Sequence, residues 1–397
     1  LDVPLLTGFI SRFQQALTRH WPNSILSYSF KTNSLPWLLA FLKEHGVWAE
    51  VVSDTEYELA LALDYCPEEI VYNGPIKSRE RLRSALLAGS LVNLDAKREV
   101  TWSAELAREF PDRTFAVGLR VNWDLEQHCP GESTTGTAGS RFGFNTDNGE
   151  FDDALTELSQ AGVRVAGLHT HRNSRSQSVA VYRAAATVAA DLIQSRGLQL
   201  DWIDIGGGFF SSVDGSPTFD DYVAAIREVL DPVLDCDATT LIVEPGGSLI
   251  AVPVEFHASV IDVKDVGNSR FVVTDASRTN IDPLFRRSRP FEVHLDSDSV
   301  NTLPTQIISG FTCMEDDRLL TVTAAPELRV GDRLTFYKLG AYTMAYQSMF
   351  IEYLPEVYIR TGEGLTLVRA KWGVAEYLQQ NDWSTAGAAL PTGEARR

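Results

Sequence analysis

Apolar and polar positions alternate in blocks over the first two thirds of the chain. Short apolar runs are separated by longer segments in which apolar residues recur at helical spacing. Such runs predict buried strands, and most of the intervening segments predict amphipathic helices. The predicted strands are Ile25–Phe30, Val47–Val52, Glu69–Tyr72, Ser90–Leu94, Thr114–Val121, Val163–His169, Leu200–Ile205 and Thr240–Val243.

This alternation predicts an α/β fold with a parallel sheet. Eight strand–helix repeats over roughly 250 residues fit a (β/α)8 TIM barrel, and a doubly wound sheet is the alternative. After about Val254, alternating segments follow one another closely, which is typical of an antiparallel β domain. We therefore predict a barrel over residues 7–253 and a β domain over 254–380. Residues 1–6 are candidates for joining the β domain, and 381–397 are expected to form a flexible tail.

Composition and charge argue against several classes of function. Acidic residues outnumber basic ones by 53 to 35, giving a net charge of −18, which argues against nucleic-acid and anionic-membrane partners. No apolar run is long enough to span a bilayer, and the four cysteines lack metal-site spacing. No signal peptide is visible, although the first residue is Leu1, so a few residues are expected to precede it. We expect a cytoplasmic protein without a bound metal.

Polar residues follow most of the predicted strands. In a parallel barrel the carboxyl ends of the strands carry the chemistry. Those ends carry Lys31, Glu50, Asn73, Asp95, Arg120, His169, His171, Gly206–Gly208 and Glu244.

Each of these residues has a structural and a functional interpretation. Lys31 is either solvated or a partly buried amine able to form a Schiff base. The glycines form either a plain turn or a nest of N–H groups for a phosphate. Glu244 faces either an Arg or Lys partner or a protonated ring nitrogen, and Arg120 is either an ion-pair partner or an anion ligand. A Schiff-base lysine, a phosphate nest, an imidazole and a carboxylate around one mouth together indicate pyridoxal phosphate.

Several motifs carry a family resemblance, in the same order along the chain. Tyr28–Asn33 (YSFKTN) is similar to a cofactor-lysine strand, Y-A-V-K-A-N, and Glu244–Gly246 to an E-P-G motif. The others are Val52–Glu56, Asn73–Ser78, Arg120–Asn122, Ser140–Phe144, Gly167–His171, Asp204–Gly208, Gly310–Asp317 and Gly340–Thr343. Together they resemble the ornithine/diaminopimelate decarboxylase family, barrel-type pyridoxal phosphate enzymes that share a fold with alanine racemase.

The resemblance implies roles for individual residues. Lys31 would bind the cofactor covalently, His171 would stack on its ring, and Glu244 would keep the ring nitrogen protonated. Cys313 would enter the site of the neighbouring subunit and protonate the carbanion, so the resemblance also implies a homodimer with shared active sites. The implied cofactor-binding residues are Lys31, Glu50, Arg120, His171, Ser174, Gly206, Gly207, Gly208, Glu244, Gly246 and Tyr342.

Departures from the family pattern lie mainly at the substrate end. Gly247 replaces an arginine, Asn173 a glycine and Met314 an acidic residue. Where diaminopimelate enzymes have R-P-x-L-Y, this chain has the shorter Asp282-Pro283-Leu284-Phe285. The predicted substrate-binding residues are Asp282, Phe285, Met314 and Glu315. Alternatively, Asp282 pairs with a local arginine such as Arg286 or Arg287.

These departures predict a decarboxylase that removes the α-carboxylate of a specialised amino acid, for example a siderophore intermediate, rather than of diaminopimelate. The alternatives are an ornithine-, lysine- or diaminopimelate-type decarboxylase, an amino-acid racemase and a non-catalytic regulator. Glu244 argues against the racemase, because racemases of this fold set an arginine against the ring nitrogen. Lys31 and Cys313 argue against the regulator.

Overall fold

The computed structural model describes residues 1–210, 217–285 and 291–382. Its larger sheet is a closed parallel barrel in the order β1-β2-β3-β4-β5-β7-β8-β9, with β9 pairing back to β1 and the short β6 flanking β5. Closure confirms the (β/α)8 barrel over the doubly wound sheet. The strands are β1 (Ser24–Ser29), β2 (Trp48–Val51), β3 (Ile70–Tyr72), β4 (Leu91–Leu94), β5 (Ala116–Asn122), β6 (Phe144–Asn145), β7 (Arg164–His169), β8 (Trp202–Gly206) and β9 (Thr240–Val243).

Helices cover the outside of the barrel. Apolar residues at helical spacing face the strands, and α1 shows the pattern, because Leu6, Phe9, Ile10 and Phe13 are buried on one face. The Asp2 side chain caps α1 by accepting a hydrogen bond from the Leu5 N–H at 2.8 Å. The helices are α1 (Val3–His20), α2 (Pro36–Glu44), α3 (Asp54–Ala62), α4 (Arg79–Ala88), α5 (Lys97–Glu109), α6 (Leu125–His128), α7 (Glu150–Gln160), α8 (Val179–Arg196), α9 (Phe219–Leu230) and α10 (Gly247–Ile250).

The centre of the barrel is packed with side chains. Val71, Ala166, Trp202 and Ile242 form a buried cluster inside it. Gly167 on β7 is required beside Trp202, because a Cβ there would overlap the indole. The packed interior closes the barrel below and leaves the carboxyl ends of its strands as the open mouth.

The second domain is a mostly antiparallel sheet in the order β12-β15-β10-β11-β13-β14, with one parallel pair, β11 with β13. Its separate core includes Val260, Val272, Ile308 and Phe336. A further hairpin joins β16 to β17. The elements are β10 (Phe256–Val266), β11 (Ser269–Thr274), α11 (Arg278–Ile281), β12 (Val293–Asp296), β13 (Thr302–Ser309), β14 (Arg318–Pro326), β15 (Arg333–Phe336), β16 (Val357–Thr361), β17 (Gly364–Arg369) and α12 (Val374–Leu378).

Two hydrogen bonds join the second domain to the barrel mouth. The Asn33 side-chain amide donates to the Gly340 carbonyl at 3.0 Å, and the Tyr342 N–H donates to the Thr32 carbonyl at 2.9 Å. Residues 340–342 therefore lie against the turn that carries Lys31.

The predicted domain limits stay a prediction. The last barrel helix ends at Ile250 and the first strand of the second domain begins at Phe256, while Leu1 and Asp2 bond to β16 and residues 3–6 belong to α1. The predicted tail lies outside the described residues from 383 onward. No helix within the described ranges is both long and apolar enough to cross a membrane.

Candidate active site

Lys31 lies in a single helical turn, Phe30–Thr32, directly after β1. Its Nζ donates to Ser29 Oγ at 2.6 Å and to Glu50 Oε2 at 2.7 Å. Burial, the largest influence, lowers the pKa of this amine, but the carboxylates of Glu50 and Glu244 outweigh it and raise the pKa above its ordinary value. Lys31 is thus a protonated amine held at the mouth, with 42% of its side chain exposed to the space above.

Two buried carboxyl groups lie beside each other on the floor of the mouth. Glu244 follows β9, Asp204 lies on β8, and their oxygens lie within 4.8 Å of each other and of a ring nitrogen of His169. Burial first, and the charge of Asp204 second, raise the pKa of Glu244 well above its ordinary value. Burial also raises the pKa of Asp204, to about 7. Because two adjacent carboxylates cannot both ionise in a dry site, the pair holds one proton near neutral pH.

Asparagine side chains orient this pair. The Asn73 amide donates to Glu244 Oε1, and the Asn93 amide donates to Asp204 Oδ2 at 2.8 Å. The Gly206 N–H donates to Asp204 Oδ1 at 2.9 Å. The Asp204–Glu244–His169 group is compact enough to hold a metal ion. It equally suits a protonated nitrogen above Glu244, because carboxylates of raised pKa gain from a nearby cation.

The two histidines after β7 are neutral. Burial first and the charge of Arg120 second lower the pKa of His169 well below its ordinary value and that of His171 to about 3. Their rings lie 6.3 Å apart and nearly parallel. His171 packs on Gly206, where a Cβ would overlap the imidazole and where φ is +77°. A neutral imidazole face therefore lies at the edge of the mouth, which suits stacking on a flat ring.

A cavity of about 600 Å³ opens above Lys31. Its wall includes glycines that bring the backbone close, since a Cβ on Gly207 would overlap the Glu244 carbonyl and one on Gly246 would overlap the Thr32 hydroxyl. The buried hydroxyls of Thr32 and Ser248 have no hydrogen-bond partner among the described residues. The lining residues are Ser29, Lys31, Thr32, His171, Asn173, Gln177, Gly207, Gly208, Phe209, Phe210, Glu244, Gly246, Gly247, Ser248, Ala251, Val252, Lys338, Ala341 and Tyr342.

The remaining predicted cofactor residues, Glu50, Arg120, Ser174 and Gly206, do not line this cavity. Arg120 pairs with Asp95 at 2.8 Å, and its guanidinium lies over the Phe142 ring at 4.6 Å. The Ser174 hydroxyl accepts a hydrogen bond from the Gln177 N–H at 3.2 Å. Of the two interpretations of Arg120, the ion pair is the one observed within this chain.

The predicted substrate residues do not line the cavity of their own chain. The Asp282 carboxylate pairs with Arg278 at 2.5 Å, and the Arg278 guanidinium lies over the Phe285 ring at 4.4 Å. Cys313, Met314 and Glu315 are not among the residues that line the cavity, and Cys313 is an exposed free thiol. The pairing of Asp282 with a local arginine is thus observed, but with Arg278; Arg286 and Arg287 lie outside the described residues.

Several residues of this site are not among those predicted from the sequence. Asp204 was assigned only to the glycine run, yet an acid inside the apolar strand Trp202–Gly206 is itself a signal of a buried partner. Ser29 and Thr32 flank Lys31 and could have been found from that position. Lys338 lies in the second domain, and only the folded chain brings it to the cavity.

Both the sequence and the fold of this chain are similar to those of known proteins. Residues 7–251 match the family described as pyridoxal-dependent decarboxylase, pyridoxal binding domain. The probable chloroplastic diaminopimelate decarboxylase of Oryza sativa is 29% identical over 90% of this chain and 74% of that protein. The diaminopimelate decarboxylase of Zymomonas mobilis is 27% identical over 95% of this chain and 91% of that protein. The crystal structure of diaminopimelate decarboxylase from M. jannaschii has a TM-score of 0.82 at 21% identity, covering 96% of this chain and 90% of that one.

Proposed function

Because this chain belongs to the pyridoxal-dependent decarboxylases and is an amino-acid decarboxylase that uses pyridoxal phosphate, we propose that its substrate is a specialised amino acid other than diaminopimelate. The ion pair between Asp282 and Arg278 carries this proposal. A bidentate arginine is the usual clamp for a carboxylate. At the corresponding position this chain has an acid, and Arg278 is already paired with it, so the clamp for the second carboxylate of diaminopimelate is missing there.

The residues of the mouth suit the cofactor. Lys31 offers the amine, the glycine-lined wall and the unpartnered hydroxyls of Thr32 and Ser248 offer donors to a phosphate, and Glu244 offers a carboxylate to a ring nitrogen. Bound pyridoxal phosphate supplies an electron sink for the electron pair left behind when carbon dioxide departs.

The chain's own side chains have distinct tasks in this reaction. In the free site the shared proton lies on Glu244, whose pKa is raised further than that of Asp204. A protonated ring nitrogen above Glu244 would favour the ionised form of this carboxyl group, which would in turn hold the positive charge at that nitrogen. His171 offers a neutral ring face that would stack on the cofactor ring and keep water away from it. Glu50 and Ser29 hold the Lys31 amine in place between turnovers.

We infer a homodimer in which Cys313 of one subunit completes the site of the other. Cys313 is exposed and lies outside the cavity wall of its own chain, so a proton-donating role would need a second chain. Exposed apolar side chains near the mouth are consistent with burial there: Tyr342, Tyr346, Met349, Phe350 and Ile351. In such a dimer, Met314 and Glu315 would meet the far end of the substrate beside the partner's cavity.

The names of the relatives favour one alternative, the decarboxylation of diaminopimelate. A substrate panel decides between the two. Carbon dioxide release would be measured for meso-diaminopimelate, ornithine, lysine, arginine and longer carboxylated diamines with the same enzyme preparation. We expect kcat/KM for diaminopimelate to lie about a hundredfold or more below that of the best substrate, because its second carboxylate would enter a partly desolvated site without an arginine clamp, which costs a few kcal/mol. Diaminopimelate as the best substrate would refute the proposal.

A further inference from the structure

The cofactor's phosphate needs a positive charge that the glycine-rich wall does not supply. A phosphate monoester carries nearly two negative charges at neutral pH, since its second pKa is about 6. Gly207, Gly208, Gly246 and Gly247 offer only backbone N–H groups, and Ser248 offers a neutral hydroxyl. A dianion in a cavity of this kind is bound more tightly when a cationic side chain is added.

Two lysines are the only positively charged side chains among the described residues that line the cavity. His171 is neutral because burial lowers its pKa to about 3. Lys31 is committed to Glu50 and Ser29, and then to the covalent bond with the cofactor. The remaining cation is Lys338.

Lys338 is fixed at the cavity by its backbone. It follows β15 at a φ of +60°, and the next two N–H groups, of Leu339 and Gly340, donate to the Val254 and Ala251 carbonyls at 3.0 and 3.1 Å. Gly247 and Ala251 line the same cavity as the Lys338 side chain. Because Gly247 has no side chain, nothing from that residue separates the lysine from the glycine-lined wall.

The amine of Lys338 is free to change partner. It pairs with Glu292 at 2.7 Å, and the two side chains are 50% and 57% exposed. Exposed pairs of this kind contribute little to stability, about 0–1 kcal/mol. A phosphate dianion in a partly enclosed cavity is a stronger competitor than a solvated carboxylate.

We propose that Lys338 binds the phosphate group of the cofactor and supplies the charge that the loop at Gly246–Gly247 lacks. This inference rests on the cofactor of the family and not on the substrate proposed above, so an error about the substrate leaves it unchanged. The lysine reaches the site from the second domain, which ties that domain's position to cofactor binding.

Equilibrium binding to the apoenzyme tests the proposal without any measurement of activity. Pyridoxal phosphate and pyridoxal, which lacks the phosphate, would be titrated by absorbance into wild type and Lys338→Gln. We expect the Kd of pyridoxal phosphate to rise about tenfold, as for a partly exposed charge-assisted contact, and that of pyridoxal to change less than about twofold. Lys338→Arg should stay within about threefold of wild type, because it keeps the charge.

Two further variants guard against indirect effects. Glu292→Gln frees the Lys338 amine and should tighten pyridoxal phosphate binding by about two- to threefold. Lys264→Gln, which removes an exposed lysine from a surface pair with Asp262, should alter neither affinity.

Each remaining outcome counts against the proposal. Equal weakening of both ligands by Lys338→Gln would indicate a general distortion of the cavity. Unchanged affinity for both would show that the lysine does not meet the phosphate. Unchanged cofactor affinity together with a higher KM would show that it meets the substrate instead.

Discussion

Buried carboxylates serve different purposes in two regions of the molecule, the barrel floor and the loop before β14. In the loop before β14, Asp317 accepts hydrogen bonds from the Ser277 hydroxyl at 3.1 Å, from the Arg278 N–H at 2.8 Å and from the N–H and hydroxyl of Thr312 at 3.1 and 2.6 Å. In the barrel floor, Glu244 faces another carboxyl group, Asp204, and the imidazole of His169, which has no hydrogen-bond partner among the described residues. Asp317 is satisfied by its own loop and by the residues at the start of α11, whereas the buried Glu244 carboxylate is stabilised further when another cation lies beside it.

This contrast separates a binding group from a scaffold group. A buried charge whose hydrogen-bonding capacity is filled by its own chain holds that chain in shape. A buried charge with a raised pKa is stabilised only when a ligand arrives. We therefore interpret the barrel floor as a ligand site within a single chain, whereas hydrogen bonds to Asp317 hold the loop that carries the exposed thiol of Cys313.

Replacing Lys31 by alanine should produce the largest effect and tests the floor most directly. Without this amine the covalent bond to the cofactor cannot form, so we expect kcat/KM to fall by at least about a thousandfold. Borohydride reduction followed by peptide mapping should place the cofactor adduct on Lys31 of the wild type. An adduct on another lysine would contradict the assignment.

Replacing Cys313 tests whether the exposed loop acts on a second chain. We expect Cys313→Ala to lower kcat by about a hundredfold or more, as for loss of a general acid. Mixing it with Lys31→Ala under conditions of subunit exchange should restore about a quarter of the wild-type activity, because half of the dimers are mixed and each mixed dimer has one intact site. Proven exchange without recovery would exclude the shared site.

Residues at the strand ends could be grouped from the sequence because strand order and barrel closure bring those ends together. Lys31, Glu50 and Glu244 were identified from their positions after apolar runs, and the fold places them around one mouth. The pairing of Asp204 with Glu244 was missed because neighbouring strands bring together residues 40 positions apart, and a run of glycines drew attention to the wrong end of the segment.

Three features were harder to predict: a helix before the first strand, a hairpin with exposed apolar side chains, and a lysine whose position depends on domain packing. The helix α1 was overlooked although Leu6, Phe9, Ile10 and Phe13 have helical spacing, because it precedes the first strand. The hairpin β16–β17 exposes Leu365 and Leu367, so it lacks the alternation of a half-buried sheet. Lys338 could not be assigned, because its place depends on how the two domains pack.

The proton shared by Asp204 and Glu244 should make the apoenzyme's stability depend on pH. The pKa of Asp204 is about 7 in the folded chain against an ordinary value near 4. The folded state therefore binds more protons than the unfolded state between these values, and this contribution to stability is lost as the pH rises from about 4 to 7. Urea unfolding at pH 5 and pH 8 should show a smaller loss in Asp204→Asn than in wild type, by about 2 kcal/mol.

The difference between variant and wild type reports the Asp204–Glu244 pair as a whole, because the charge of Asp204 also raises the pKa of Glu244 and the buried histidines are present in both proteins. Asp237→Asn, at an exposed acid, should keep the wild-type slope. The same slope in Asp204→Asn would mean that the pair does not hold the proton. In that case the barrel floor would resemble the Asp317 loop more closely than its geometry indicates.

Replacing Asp282 should have the smallest effect on turnover. The substitution tests whether this acid stabilises its own chain or binds substrate. Its carboxylate is held by Arg278, and both side chains are largely buried, at 9% and 19% exposure. We expect Asp282→Asn to lower the free energy of unfolding by about 1 kcal/mol and to change kcat/KM for the best substrate less than about threefold. Glu315→Gln, at an exposed acid of the Cys313 loop, is the matched comparison, since it changes the same charge where a partner's substrate could reach it.

If Asp282→Asn instead lowered kcat/KM about a hundredfold with no loss of stability, the acid would be a substrate ligand. The substrate would then carry a cation at its far end, and Arg278 would have to release Asp282 whenever substrate binds.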